Sequence, residues 1–510
     1  MNLADIPWLS LLTAAPWAGA LAAALAARRS QAAALRLARA ASLLPAALLV
    51  PMAAAFRWGD AATVQLVERH RWIAPLGADY FLGVDGLGWL CLLLTALVVP
   101  LALALVSPHT ARAGTLAALA LVLQGALAGT FTALNFVHWF VFWELALVPA
   151  FFMVKGWGGP RRAAAAGQFF LYTMLGSAAM LVAMVAVWRA TGSFDFPELA
   201  ALAAEGRIAA ALTAHAGAAW PLLAFGGVLL GLAVKVPLFP FHTWLPDAYA
   251  EAPTPVTMML TGAMSKMGVY GFLRVLLPLF PDQVRAALPW LMVLAVAGIV
   301  ASAFAALHQR DLKRMFAYGS VNHLGYCLLA VFAVCSGGVN PAAAVTALSG
   351  TMLQLFNHGL TATLLFACVA MLEARSGGLR GTGDFGGLRA ACPAFAGLWG
   401  VTMFSSLGLP GLNGFVGEYL IFQGVFSIAP AAAAVSGLGL LVTAVFLLGF
   451  WRRVFDGPLA ARWAGMPDLG VRERALLAPG VLLMFVLGVW PQLLLAWINP
   501  VAQLLVPGSR

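Results

Sequence analysis

The sequence predicts an all-α polytopic membrane protein of about fourteen transmembrane helices, with two inverted five-helix repeats and discontinuous seventh and twelfth helices. Three observations predict it. Of 510 residues, 62% are hydrophobic and only 9% charged, against about 25% charged in an average soluble domain. Apolar stretches of about 20 residues, the length that crosses a bilayer, recur along the whole chain and leave no room for a separate soluble domain. Backbone rich in Pro and Gly interrupts two of these stretches at corresponding places.

Taken in order, the apolar segments lie near 6–27, 37–56, 82–106, 114–133, 135–154, 166–188, 220–245, 254–277, 287–307, 315–335, 342–372, 394–427, 432–451 and 475–497. The opening Met1-Asn2-Leu3-Ala4-Asp5-Ile6-Pro7 has no basic region and no small-residue cleavage site, so the first segment is expected to be a retained helix, not a signal peptide. The connection between the fourth and fifth segments is very short, and 394–427 is too long for a simple crossing. The expected organisation is one membrane domain, 1–510, with three N-terminal helices in 1–106, a first repeat in 114–277 (helices 4–8), a second in 287–451 (helices 9–13) and a last helix at 475–497.

Basic residues test the count, because excess Lys and Arg normally mark the cytoplasmic side. With the amino terminus outside, the inward loops hold 19 of the 29 Lys and Arg residues, among them Arg39, Lys313 and Arg472. The outward side holds 8, including Arg274 and Arg510, and Lys235 and Lys266 lie within crossings. This asymmetry predicts an even number of helices with both termini on the outer side. It also accounts for the net charge of +10, which is spread over many loops with no single basic face and so excludes a nucleic-acid partner.

Cofactor motifs are missing. Cys91, Cys327, Cys335, Cys368 and Cys392 are spaced by 236, 8, 33 and 24 residues and form no C-x-x-C pair, which leaves them as buried structural cysteines. The match GTGDFG, Gly381 to Gly386, follows a membrane helix and not a strand, so it reads as a loop. No nucleotide, metal or cofactor site is expected in the chain.

Ionisable groups stand where they are costly. A Lys, Asp or Glu at mid-membrane costs roughly 2.5–3.5 kcal/mol on insertion scales, so each needs a partner or a task. Glu144, Lys235, Lys266 and Glu418 are the four. The lysines weigh most, since only 4 of the 29 basic residues are Lys; a desolvated Lys can exchange a proton near neutrality, whereas Arg stays charged. Two of four lysines at mid-membrane point to proton exchange. A static Glu144–Lys235 pair is the bland alternative, but it would not need Lys266 and Glu418. His323 and His358 lie inside crossings among polar neighbours and are candidate relay groups, though a core histidine bonded to a carbonyl is common. His242 is either a point of proton access or a helix cap. His70, His109, His138, His215 and His308 are assigned no role.

Pro237 and Pro240 follow Lys235, and Pro410-Gly411-Leu412-Asn413-Gly414 precedes Glu418. Broken backbone at membrane depth is tolerated only where it is buried in protein or lines a wet cavity. The breaks fall in the fourth helix of each proposed repeat, the sequence pointer to an inverted-repeat transporter. Gln168-x-Phe170-x-Tyr172 and Gln354-x-Phe356-x-His358 add a short match, and the alignment sets Glu144 opposite His323, with Lys266 between the halves.

The stretches WELALVPAFFMVKGWGGPRR, FFLYTMLGS, VKVPLFPFHTWLPDAYAEAPTPV, KMGVYGFLR, DLKRMFAYGSVNHLGY and GLPGLNGFVGEYLIF closely resemble the antiporter-like membrane subunits of respiratory complex I, bacterial NADH-quinone oxidoreductase. The resemblance runs from about residue 80 to 455. Two features select one branch of that family: Glu418 stands where most relatives carry a lysine on the broken twelfth helix, and the chain stops at Arg510, without a long lateral helix.

The resemblance implies that Glu144 and Lys235 pair between helices 5 and 7, that Lys266 is the central bridging lysine, that His323 and His358 belong to the connecting relay, and that Glu418 ends the axis. Ser265 and Asn322 fall at positions that vary in the family. It further implies proton translocation driven by redox chemistry elsewhere, with NADH, FMN, iron–sulfur clusters and quinone held by partner subunits. The implied neighbours are the sibling subunits L and N, and the implied location is a bacterial inner membrane, in keeping with Ala- and Arg-rich usage. The alternatives are a subunit of an Mrp-type Na⁺/H⁺ antiporter or of a membrane-bound hydrogenase, and a structural scaffold with residual ion pairs. A dry, sealed axis between Lys235, Lys266 and Glu418 would favour the scaffold.

Overall fold

The computed structural model of the chain describes residues 6–506. Met1 to Asp5 and Arg510, which was counted with the outward charges, lie outside the described residues. Ten described helices are long and apolar enough to cross a membrane, or up to twelve when two sharply bent helix pairs each count as one span. The chain is a multi-pass, mostly helical membrane protein.

One element corrects the all-α expectation. Strands β1 (Gln65–Ile73) and β2 (Ala78–Val84) form an antiparallel hairpin ahead of the Gly86–Ala104 helix. The segment near 82–106 therefore begins in a strand, and its helix starts only after Asp85, whose carboxylate accepts from the Gly88 N–H at 2.9 Å. Between crossings the stretch is rich in β-branched and aromatic residues, and its turn holds Gly77 at φ +61°. The hairpin ties one end of the bundle together. Glu68 on β1 accepts from the Leu9 N–H at 2.7 Å and the Ser10 N–H at 3.2 Å, satisfying orphan donors at the start of the Trp8–Ala27 helix. Arg69 reaches Asp79 at 2.8 Å and Asp195 at 2.6 Å. Its bond to Asp79 raises the Arg69 guanidinium above its ordinary value, whereas burial raises the Asp195 carboxyl against the opposing pull of Asn135 and Arg69.

The core lies around the Leu312–Ala333 helix, buried on nearly every side, and the 36-residue Pro341–Ser376 helix. A helix enclosed all round must be apolar all round, so the few polar side chains on these two face one another or their neighbours. Beside them runs Thr254–Met259, a π-helical turn at Leu260–Met264, Lys266–Gly271 and a second π turn at Phe272–Leu276.

Two interruptions frame this core. One helix ends at Lys235 and the next begins at Trp244. The Pro393–Ser406 helix stops and Asn413–Ile428 resumes, with Gly408 at φ +79° and Gly411 at φ +93° between them. The long segment 394–427 thus resolves into two helices. All five cysteines are free and buried, and Gly381 to Gly386 form a loop closed by the Gly381 N–H on Asp384.

Candidate functional site

The π turn prepares the place of Lys266. Its widened hydrogen bonding sends the Ser265 N–H to Leu260 O at 3.0 Å, and the Thr261 carbonyl accepts two side chains instead, Ser265 Oγ at 2.8 Å and Lys266 Nζ at 2.6 Å. The fully buried ammonium also contacts Ser265 Oγ at 3.1 Å and His358 Nδ1 at 2.8 Å. The His358 ring stands 5.3 Å from that of His323, centroid to centroid. On its other side His323 Nδ1 is 2.9 Å from Glu418 Oε1, and Nε2 is 3.4 Å from Ser406 Oγ. Lys266, His358, His323 and Glu418, drawn from four helical segments, thus form one buried polar line.

The backbone break positions the end of this line. Asn357, next to His358, donates to the Asn413 carbonyl at 2.6 Å, and Ser405 Oγ donates to Asn413 Oδ1 at 2.6 Å. Asn357 on the intact helix and Ser405 at the end of the broken one thus hold the first residue of the resumed helix in place. Gln354 Nε2 approaches Glu418 Oε1 at 3.4 Å, and a Cβ on Gly408 would lie 2.7 Å from Glu418 Oε2. Gly suits this position for its positive φ, and its missing Cβ leaves room for the carboxylate.

The expected Glu144–Lys235 pair is not closed. Among the described residues no carboxylate lies within 4.0 Å of the Lys235 ammonium, which instead sits 5.0 Å from the Trp143 ring centroid. Glu144 is half-buried, and its Oε1 has no hydrogen-bond partner. A ring face attracts a cation through its quadrupole, so Trp143 takes the position next to Lys235 that Glu144 was expected to hold. Trp143 is itself held by its Nε1–H donating to Ser177 Oγ at 3.0 Å. Its neighbour in sequence to Glu144 was the signal, masked by its apolar character. Lys235 and Ser265 line a cavity of about 10 Å³, at the threshold for one water, and Ser265 Oγ in turn contacts Lys266 Nζ at 3.1 Å. His242 lies in the break after Lys235, its ring 5.4 Å from that of Phe239.

Two groups counted with the loop charges turn inward. Lys313, counted with the inward charges, is fully enclosed and donates to the Ala252 carbonyl. Around it Thr254 Oγ1 donates to Glu373 at 2.5 Å and Arg380 pairs with Asp311 at 2.6 Å. Being one of four lysines was the signal, hidden by its flanking Arg310 and Arg314. Arg274, counted with the outward charges, contacts both oxygens of buried Asp85 at 2.8 and 2.7 Å.

Residues 133–445 match the family described as NADH:quinone oxidoreductase/Mrp antiporter, transmembrane. NADH-quinone oxidoreductase subunit M of Mycobacterium tuberculosis is 33% identical over 98% of this chain and 94% of its own length. Subunit M of Rhodobacter capsulatus is 36% identical over 86% of this chain and 83% of its own. A chain in the structure of respiratory complex I from Thermus thermophilus with bound NADH superposes with a TM-score of 0.83 at 27% identity, covering 98% of this chain and 100% of that one. The chain belongs to the NADH:quinone oxidoreductase/Mrp antiporter transmembrane family.

Proposed function

We propose that the chain is a proton-translocating, subunit-M-type membrane subunit of a bacterial NADH:quinone oxidoreductase, working through Glu144, Lys235, Lys266, His358, His323 and Glu418. The observation that carries this is the buried line from Lys266 through His358 and His323 to Glu418, with contacts of 2.8, 5.3 and 2.9 Å. Four titratable groups in mutual reach are more than a neutralised ion pair needs, and intramembrane ionisable groups are functional by default.

In a low-dielectric site a cation persists only while a counter-charge or dipole holds it. Trp143 holds Lys235 in the arrangement described above, and approach of Glu144 would hold it more firmly. A neighbouring subunit that moves Glu144 toward or away from Lys235 would thereby load or release its proton. The proton then crosses the small cavity to Lys266, passes to His358 and His323, and reaches Glu418, whose carboxylate is poised at the second break. Return of the charges reloads the line.

The wider reading is fourteen crossings in one membrane domain, three at the N-terminus, repeats in 114–277 and 287–451, and a last helix at 475–497. The interruptions after Lys235 and Ser406 support discontinuous seventh and twelfth helices in matching places of inverted units. Electron transfer, NADH, FMN, iron–sulfur clusters and quinone belong to partner subunits, with siblings L and N on either side and both termini on the periplasmic face of the inner membrane. An Mrp-type Na⁺/H⁺ antiporter subunit is the second reading, favoured by the breadth of the matching family; pumping that persists without sodium separates the two. Alanine at Lys235 or Glu144, with protons counted per NADH in inverted vesicles, tests the proposal: pumping falls while the complex assembles, and normal stoichiometry in both variants contradicts it.

A further inference from the structure

A groove of about 380 Å³ runs between the Gly86–Ala104 and Val471–Val489 helices, with buried Leu360 and Thr363 of the Pro341–Ser376 helix beneath it. Its walls include Leu97 and Leu101 on one side and Leu476, Leu483 and Val486 on the other. The Thr363 hydroxyl donates within its own helix, to the Gly359 carbonyl at 2.7 Å, so this side chain offers a guest no free donor. From Leu476 to Val486 the groove runs about 15 Å at 1.5 Å per residue, half the ~30 Å hydrocarbon core and thus the depth of one leaflet.

The inward end of the groove is basic. Arg472 lies one turn before Leu476 on the stripe that continues through Leu483 and Val486. Arg39 is anchored at the end of the opposite wall, where Nε donates to the Leu103 carbonyl at 3.0 Å and Nη2 to the Val106 carbonyl at 2.6 Å. The two guanidinium groups are near enough to repel one another, and among the described residues neither has a carboxylate within 4.0 Å. Neighbouring acids are committed: Glu473 is held by both Nη atoms of Arg375 at 2.7 and 2.5 Å, and Asp468 accepts the N–H groups of Ala394 and Phe395, each at 2.9 Å. Two like charges at the mouth of an apolar slot one leaflet deep call for an amphiphile with an anionic head.

We propose that this groove binds one acyl chain of an anionic phospholipid of the cytoplasmic leaflet, with its phosphate bridging Arg39 and Arg472. Basic pockets between transmembrane helices on the cytoplasmic side suit such headgroups. The occupant is distinct from the proton line, because the groove residues contribute none of its members.

The test is photo-crosslinking of the intact complex in its native membrane with phosphatidylglycerol carrying a diazirine in one acyl chain, followed by peptide mapping. Labelling is expected on the segments 97–101 and 476–486, competed by unlabelled phosphatidylglycerol and not by phosphatidylcholine. Arg472→Gln, at an exposed position, should lower labelling about fivefold, the effect of one basic residue on anionic lipid; Leu483→Trp, which fills the slot, should abolish it. Arg39→Gln is a weaker test because Arg39 also caps a helix. Equal competition by phosphatidylcholine, unchanged labelling in both Arg472→Gln and Leu483→Trp, or no label in the groove because a neighbouring subunit covers it would each overturn the proposal.

Discussion

Lys266 Nζ stands 2.8 Å from His358 Nδ1, in a contact made possible by a π turn that also gives the ammonium the Thr261 carbonyl at 2.6 Å. One buried cation is thus held by neutral acceptors alone, and one of them is itself able to take a proton. Replacing His358 by Ala should leave the complex assembled but slow the proton-transfer step by about 10²-fold, the lower end of what a positioned acid–base group supplies. The readout is dye-reported acidification of inverted vesicles at matched NADH oxidation rates. Unaltered acidification would remove His358 from the path.

At the far end of the line, Gly408 has φ +79° and its absent Cβ leaves room for Glu418 Oε2. Gly408→Ala should cost about 1–2 kcal/mol for the left-handed conformation alone, and more because the carboxylate must move. A lower thermal midpoint of the purified complex together with reduced pumping is expected. A silent variant would show that the break can rearrange without Gly.

Arg274 and Asp85 form a buried ion pair that also orders the start of the Gly86–Ala104 helix. Arg274→Ala leaves an unpaired buried carboxylate and should destabilise by about 3–5 kcal/mol, visible as loss of the subunit from assembled complex. The double variant Asp85→Asn, Arg274→Leu should recover part of the loss. If it recovers none, the pair matters for something other than charge compensation.

Asp468 lies in the loop before the Val471–Val489 helix, and burial, which would raise its carboxyl, is outweighed by bonds from the Ala394, Leu469 and Phe395 N–H groups. Its value in the folded chain is therefore below the usual 3.8. Folding stability from this group is fully present above that ordinary value and is lost as pH falls through the depressed one. At neutral pH, Asp468→Ala should loosen the start of the Pro393–Ser406 helix by about 1 kcal/mol, as loss of a helix cap does. Hydrogen exchange of the Ala394 and Phe395 amides measures it, and the difference from the parent chain should vanish in strong acid.

Much of this was legible in the sequence because a membrane makes charge expensive. Lys266, His323, His358 and Glu418 stood out as polar groups in apolar crossings, and the core brings those four together. The breaks after Lys235 and before Glu418 were legible from Pro and Gly. What sequence could not supply was side-chain distance: Glu144 and Lys235 are suitable partners by charge, yet the ammonium lies over Trp143. Lys313 and Arg274 were hidden for the opposite reason, since a basic residue near a helix end looks the same whether it faces water or turns inward. The hairpin at 65–84 escaped because hydropathy averages over lengths longer than a strand.

The most direct measurement is the number of protons moved per NADH by the assembled complex in which Lys235 is Ala, in sealed proteoliposomes. A clear fall in that ratio is expected with the subunit present at normal abundance, and a similar fall for Glu144→Ala. An unchanged ratio in both variants would contradict proton transfer through this pair and leave the buried line a structural feature of the bundle.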